Sequence, residues 1–239
     1  RDKHVRRAVK SLSNKEMRLF EALEDCEQGE ISGVLELCEA IRKTLSLVAF
    51  SCLSGESSAQ VLGGDLGVLF RGSLSKKMQQ FLARVISSGY PNQLTVFIDD
   101  CEPVRVWQWG GEQSDFTRQC RMVVEQTAVP ENWQVLLWSD FELGSKISFA
   151  ATLEEISKCR YDLLVSRTLE QMKKFPNQKL RGDLKQAAVR RVANYALQGL
   201  VLEEKMLGAV LCQTETPWNV KDCIYNPLRV KNLPIIHPF

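Results

Sequence analysis

The sequence predicts an α/β fold: a doubly wound, mostly parallel sheet with long helices in its C-terminal half. Three observations predict it. Apolar runs of strand length recur at residues 45–51, 94–100 and 133–138. Helical patterns at 75–88 and 115–126 fill the intervals between them, the spacing of βαβ units. Each run also ends in a hydroxyl or carboxylate (Ser51, Asp99 with Asp100, and Ser139 with Asp140), at the strand ends where open α/β sheets hold ligands.

In chain order, Arg1, Lys3, Arg6, Arg7 and Lys10 stand against the single acid Asp2 and read as a solvated basic tail. Two helical patterns follow. Met17, Leu19, Phe20 and Leu23 form the apolar face of the first, and Val34, Leu35, Cys38 and Ile41 that of the second at 31–44. Leu45 to Phe50 then read as a buried strand. It closes on Ser51, the first candidate nucleophile, and opens a loop rich in serine and glycine that includes Ser54 and Gly55. Gly63, Gly64 and Gly67 lack the lysine and spacing of a P-loop and the GxGxxG of a dinucleotide site, so they read as a turn or lid. Met78, Phe81, Leu82, Val85 and Ile86 are the inward face of the helix at 75–88. In the second half, residues 149–174 and 180–205 read as two long helices separated by Phe175-Pro176-Asn177. The apolar pieces 209–212 and 223–225 are expected to return to the sheet as its last strands. The whole reads as one domain, 1–239, in four parts: N-terminal helices (1–44), a βαβαβ half (45–140), long helices (149–205) and final strands with a tail (209–239).

Composition narrows the chemistry. The chain has 239 residues, 44% hydrophobic and 25% charged, enough to bury a core, and a net charge of +2 is too small to imply nucleic-acid binding by itself. Eight cysteines contain no CxxC pair, so they read as reduced thiols in a cytoplasmic protein without a metal centre. The two histidines, His4 and His237, lie at opposite ends and leave little for a Ser-His-Asp triad or a histidine-ligated metal. No apolar run approaches the roughly 20 residues that span a bilayer, which predicts no membrane partner. The start at Arg1 instead of methionine predicts further residues before it. Charge is uneven. Between 167 and 191, eight bases (Arg167, Lys173, Lys174, Lys179, Arg181, Lys185, Arg190 and Arg191) oppose two acids, Glu170 and Asp183, a stripe that can follow a phosphate backbone or simply be solvated.

Leu47-Val48-Ala49-Phe50-Ser51 before a Ser/Gly loop, a central strand ending in acid, Trp138-Ser139-Asp140 before two long helices, Asn194-Tyr195-Ala196-Leu197, and Cys223-Ile224-Tyr225 are collinear. In order, spacing and length they resemble the tRNA-dependent cyclodipeptide synthases (CDPSs). The resemblance implies a Rossmann-like fold similar to the class I aminoacyl-tRNA synthetase catalytic domain, with no ATP or other cofactor. It implies a ping-pong aminoacyl transfer from two aminoacyl-tRNAs through an aminoacyl-serine, the product being a diketopiperazine. Ser51 matches the nucleophile, Tyr195 the helix tyrosine that holds the amino group, and Tyr225 the late tyrosine. It further implies a substrate pocket of Leu47, Ala49, Ser54, Asp99, Leu202 and Cys223, and tRNA contacts from Lys173, Lys174, Lys179, Arg181, Lys185, Arg190 and Arg191.

One position departs from the pattern. Where the family usually has a glutamate one turn after the tyrosine, this chain has Gly199. Glu203, eight residues after Tyr195 and near the same helical face, or Asp99 is expected to take its place, or the activity is altered or lost. The usual basic helix is also thin, with only Arg118 and Arg121 at 115–126. An arginine-using member, of the kind found in fungi, would need a carboxylate for the guanidinium, for which Asp99, Asp100, Glu203 and Glu204 are candidates. An aminoacyl ester is already activated, so transfer to serine needs neither ATP nor metal. The rival readings are a non-catalytic binding or scaffold protein on a Rossmann-like fold and a serine esterase, the latter without a GxSxG elbow.

Overall fold

The computed structural model describes residues 2–24, 31–43, 46–51, 76–90, 93–107, 113–126, 129, 131–174, 182–212, 223–225, 230 and 233–236. Five strands form one sheet: β1 (Ser46–Ser51), β2 (Gln93–Ile98), β3 (Trp133–Leu137), β4 (Val210–Cys212) and β5 (Ile235–Ile236). Their order is β3-β2-β1-β4-β5, and every adjacent pair is parallel. The fold is the α/β, Rossmann-like one that the sequence predicts.

β1 lies in the middle, where both its faces are covered, which is why it reads as a continuous apolar run and not as an alternating one. Leu47, Val48 and Ala49 have no exposure at all. Alternation still sorts the side chains. Leu47 and Ala49 pack with Leu19 and Leu23 of α2 (Asn14–Leu23), Ile41 of α3 (Ile31–Lys43) and Phe81 and Leu82 of α4 (Lys76–Ser87). Val48 and Phe50 join the opposite layer. There Phe50, Phe97, Trp138 and Phe141 stack with ring centroids 4.6–5.6 Å apart.

The remaining elements are α1 (Asp2–Lys10), α5 (Glu102–Arg105), α6 (Gln113–Gln126), α7 (Trp138–Glu142), α8 (Phe149–Ile156), α9 (Asp162–Met172) and α10 (Leu184–Lys205). Local chemistry sets their ends. Ser13 and Glu16 form a capping box at α2: Glu16 N donates to Ser13 Oγ at 3.3 Å, and Ser13 N donates to Glu16 Oε2 at 2.7 Å. Asp183 caps α10 by accepting from Lys185 N at 3.0 Å. Replacing Ser13 by alanine is expected to cost about 1 kcal/mol and to lower Tm by about 2–4 °C for a chain of this size. Thermal unfolding followed by circular dichroism measures it, and an unchanged Tm would refute the cap's role.

The basic start is a helix with Arg6, Arg7 and Lys10 exposed, and Val9 and Leu12 pack against the α2 layer. Three expectations are corrected. The pattern at 149–174 is broken into α8 and α9. Ser157 donates its hydroxyl back to Leu153 O at 2.7 Å, and Cys159–Tyr161 form a 3-10 turn, so two separate pieces pack on α10. Trp138 opens α7 and does not prolong β3. Finally, residues 223–225 are helical and not a strand. The fifth strand is Ile235–Ile236, which follows Pro234 at the sheet edge, where a missing N–H costs no ladder bond.

Candidate functional site

The chain builds β1, β2 and β3 outward in one direction and then returns to lay β4 and β5 on the other side of β1. The strand order therefore reverses between β1 and β4, and the crevice at their carboxyl ends is where such sheets bind ligands. Ser51 closes β1 there. Its backbone is in register with Ile98, so Asp99 leaves the sheet directly beside it.

Asp99 is 2% exposed and holds four donors. Its Oδ1 accepts from the backbone N–H groups of Cys101 (3.1 Å) and Glu102 (2.9 Å), which tightens the turn into α5. Its Oδ2 accepts from Asn194 Nδ2 (3.1 Å) and Gln198 Nε2 (2.6 Å) of α10. These two amides are spaced i, i+4 and so share one helical face. Burial pushes the Asp99 carboxyl above its ordinary range, opposed by the Glu102 N–H and reinforced by neighbouring Asp100. Because Asn194 Nδ2 is fixed by Asp99, its Oδ1 is turned elsewhere, and among the described residues that buried oxygen has no donor.

Around this pair lies a wider polar cluster. Asp100, fully buried, accepts from Thr117 Oγ1 at 2.5 Å and from the N–H of Ser139 at 2.9 Å, tying α6 and α7 to the end of β2. Arg105 and Glu142 pair through two 2.8 Å bonds. Arg191, 7% exposed, points both Nε (3.3 Å) and Nη2 (3.0 Å) at Tyr195 Oη, with Nε also 3.7 Å from Glu102 Oε1. Four carboxylates (Asp99, Asp100, Glu102, Glu142) thus face two guanidinium groups (Arg105, Arg191). Carboxyl groups thus outnumber guanidinium groups in this partly buried cluster, a composition that suits a cationic ligand group. Burial pushes the thiols of Cys101 and Cys120 well above their usual range, so neither is a thiolate nucleophile near neutral pH.

The other expected residues fall into separate places. Tyr195 is 6% exposed and its hydroxyl faces Arg191, toward the N-terminus of α10. Glu203 lies eight residues on, about 12 Å along the helix axis, where it acts on half-buried Tyr225. Burial, assisted by the charge of Glu203, pushes the Tyr225 phenol up to about 12, so it is a proton-bearing donor at neutral pH. Glu204 is exposed and accepts from Ser145 Oγ at 2.6 Å. Leu47 and Ala49 are buried in the layer of α2 to α4, whereas Leu202 and Cys223 are buried in the layer of α10. Lys173, Lys174 and Lys185 are exposed. Ser54, Lys179, Arg181, the Gly63–Gly67 stretch and the side chain of Ser51 lie outside the described residues.

Gly199 has a steric reason. A Cβ there would meet Ile224 Cγ2 at 2.5 Å, so the turn carrying Cys223-Ile224-Tyr225 lies directly against the bare helix backbone. The space where a glutamate side chain would start is filled by isoleucine. Asn194 and Gln198 were not singled out by sequence, although two amides at i, i+4 inside an otherwise apolar helical stretch are a usable signal for a buried polar partner. Among the described residues, no group of three His, Cys, Asp or Glu side chains could hold a metal ion, and no helix is long and apolar enough to cross a membrane.

No family model and no curated protein matches the chain. Solved structures do resemble it. The chain superposes over 94% of its length on a tyrosyl-tRNA synthetase from Archaeoglobus fulgidus, in complex with L-tyrosine, with a TM-score of 0.54 and 13% identity. It spans 63% of that protein, less than two thirds. A CDPS from Fluoribacter dumoffii matches over 83% of this chain and 91% of its own, with a TM-score of 0.50 and 9% identity. At such identities the likeness speaks to architecture: the chain has the Rossmann-like α/β fold of a tyrosyl-tRNA synthetase catalytic domain.

Proposed function

We propose that the protein is an aminoacyltransferase that joins the aminoacyl groups of two aminoacyl-tRNAs into a cyclic dipeptide through an aminoacyl-Ser51 enzyme. The observation that carries this reading is the buried acid–amide cluster at the carboxyl end of β2, next to the residue that closes β1 at the point of strand-order reversal. The α-ammonium of an aminoacyl ester is a compact cation with three donors. Asp99 supplies the charge for it, and Asn194 Oδ1 is a buried acceptor without a donor among the described residues. The fold likeness to tyrosyl-tRNA synthetase and to a CDPS is consistent with such a substrate.

In the first step Ser51 Oγ attacks the ester carbonyl, its proton passes to the departing ribose oxygen, and the first tRNA leaves. In the second, the free amine of another aminoacyl-tRNA attacks the acyl-serine, and Ser51 regains a proton from that amine. The dipeptidyl ester then cyclises when its terminal amine attacks the remaining ester and releases the second tRNA. Tyr225, holding its proton, is suited to donate to an oxyanion formed in these steps. Incubation with a mixture of charged tRNAs, followed by mass spectrometry for diketopiperazines, tests the whole. Product containing one or more defined amino acids is expected, and no product from any charged tRNA would refute it.

The Asp99 role has its own test. Ammonium binding needs the carboxylate, while burial holds a proton on Asp99 to higher pH than in water. The rate of adduct formation should therefore fall as pH drops through the raised Asp99 value. Asp99→Asn should be slower by about 10- to 100-fold, the loss of one buried charge-assisted contact, and should lack that acid limb. A wild-type profile without the limb, or an Asn variant with an unchanged one, contradicts the assignment.

A second reading, a non-catalytic binding protein on the same fold, is favoured by one observation: each Asp99 oxygen already holds two donors. It expects Asp99→Asn to change stability only, with no acyl adduct on the wild type.

A further inference from the structure

Helix α7 has five residues, and four consecutive ones are each tied to a different element. Ser139 N donates to Asp100 at the end of β2, Asp140 accepts from Arg121 of α6, and Phe141 O accepts from Lys205 of α10. Glu142 completes the series by accepting both arms of the Arg105 fork of α5 at 2.8 Å. The two ion pairs differ in their surroundings. Arg121 and Asp140 are 46% and 51% exposed, where water and salt screen the attraction. Arg105 and Glu142 are 21% and 13% exposed, and Arg105 Cζ lies 4.8 Å from the centroid of the Phe149 ring. A bidentate pair withdrawn from water in this way holds both side chains in one geometry.

Arg105 stands at the far end of the turn that grips Asp99. Cys101 N and Glu102 N donate to Asp99 Oδ1, and Arg105 N and Val106 N close the same turn on Cys101 O at 2.9 Å and Glu102 O at 2.8 Å. Anchoring Arg105 to Glu142 therefore fixes those two N–H groups against α7, and α7 in turn holds Asp100. Charge follows the same line. Asp99 is faced by Asp100 at the end of β2, by Cys101, Glu102 and Arg105 of α5, and by Cys120 of α6. From α10 come Asn194 and Gln198, with Arg191 behind Glu102, and Glu142 of α7 stands behind Arg105. Burial raises the Asp99 carboxyl and Asp100 adds to the rise, whereas the Glu102 N–H, Asn194 and Arg105 oppose it. Arg105 keeps its own proton. Burial works against its charge, but the bonds to Glu142 and the neighbouring Cys101 and acids outweigh it.

We propose that Arg105 is a positioning residue for Asp99: locked by Glu142, it holds the turn that grips Asp99 Oδ1 and presents a fixed positive charge to that carboxylate. Its value to the chemistry rests on the function proposed above, in which Asp99 receives the substrate ammonium. Glu142 and Phe149 already engage the guanidinium, so Arg105 acts through Asp99 and not on the substrate.

The test reads the Asp99 carboxyl itself, by NMR titration of the whole chain carrying isotope-labelled aspartate, the signal lost in Asp99→Asn being its identification. Arg105→Gln removes the cation, so the Asp99 midpoint should move to higher pH. Glu142→Gln removes an anion and leaves Arg105 uncompensated, so the midpoint should move to lower pH. The opposite signs are diagnostic. A link that is only mechanical is broken by either variant and shifts Asp99 in one direction in both. Arg105→Lys keeps the charge and loses the fork, and its midpoint should lie nearer to wild type than that of Arg105→Gln. Shifts of one sign in Arg105→Gln and Glu142→Gln, or no shift in Arg105→Gln, overturn the proposal. Should Arg105→Gln fail to fold, Glu142→Gln carries the same sign test, and an upward shift or none overturns it. On the acid side, where the rate follows the ionised fraction, acyl-adduct formation should be about threefold or more slower in Arg105→Gln and no slower in Glu142→Gln. Midpoints that move as stated, with no acyl adduct even in the wild type, would uphold the positioning role and refute the transferase reading.

Discussion

Replacing Ser51 by alanine is expected to abolish both the acyl adduct and the cyclic product while leaving the fold intact. The expectation is sharp because Ser51 holds its place through the backbone. It is the last residue of β1, in register with Ile98, and alanine keeps those ladder bonds. A change from serine to alanine that removes no buried packing typically moves stability by no more than about 0.5 kcal/mol. Loss of the nucleophile of a covalent mechanism costs about 10³-fold or more in turnover, since what remains is only binding and orientation of the ester. Intact-mass analysis should find wild-type enzyme heavier by one aminoacyl residue after exposure to a single charged tRNA, and the alanine variant unmodified. Ser51→Cys, which restores a nucleophile at the same position, should recover an adduct as a thioester. An alanine variant that still makes product at a wild-type rate would remove Ser51 from the chemistry, and the Asp99 cluster would then have to be explained as architecture.

The fold was largely readable because a parallel sheet advertises itself. Leu47 to Phe50 and Leu94 to Ile98 are almost wholly apolar runs since both faces of β1 and β2 are covered, and the intervals between the strands are long enough for helical crossovers. Cys223-Ile224-Tyr225 misled for a physical reason. Three residues of strand-like composition carry no period, and what decides their conformation is Ile224 seated on Gly199, a contact that no local pattern contains. β5 was invisible because two isoleucines after a proline are too short to register. At the site, Ser51 and Asp99 were legible from their place at strand ends. Asn194 and Gln198 were not, because an amide in an apolar helix reads as an exposed position until its partner acid, 95 to 99 residues away, is known. Tyr195 was legible as a motif residue, and its hydroxyl accepts from Arg191, one turn closer to the start of α10.

The contact that hid 223–225 also yields the largest stability effect expected from a single substitution. Gly199→Glu, which restores the residue that the CDPS resemblance would ask for, should destabilise the protein strongly. The first atom of the new side chain would stand 2.5 Å from Ile224 Cγ2 and 3.4 Å from its Cβ and Cγ1, none of which can retreat, since Ile224 is 1% exposed. Overpacking of this kind costs about 1–3 kcal/mol, and a carboxylate forced into a buried site without a donor adds several more unless it takes up a proton. Gly199→Ala separates the two effects: it keeps the clash, without the charge, and gains up to about 1 kcal/mol of helix propensity in return, so it should be much milder. Ile224→Ala alone should cost about 2–5 kcal/mol through the cavity it leaves. Combined with Gly199→Ala, it should cost less than the sum, by about 0.5–3 kcal/mol, because each change makes room for the other. Chemical denaturation of the four members of that cycle measures the coupling, and strict additivity would mean that residues 199 and 224 do not touch. A positive coupling carries a consequence for the chemistry. With isoleucine occupying the start of that side chain's path, the aminoacyl transfer proposed above has to find its ammonium contact elsewhere in the crevice, and Asp99 with Asn194 is the buried acid–amide pair that the proposal puts there.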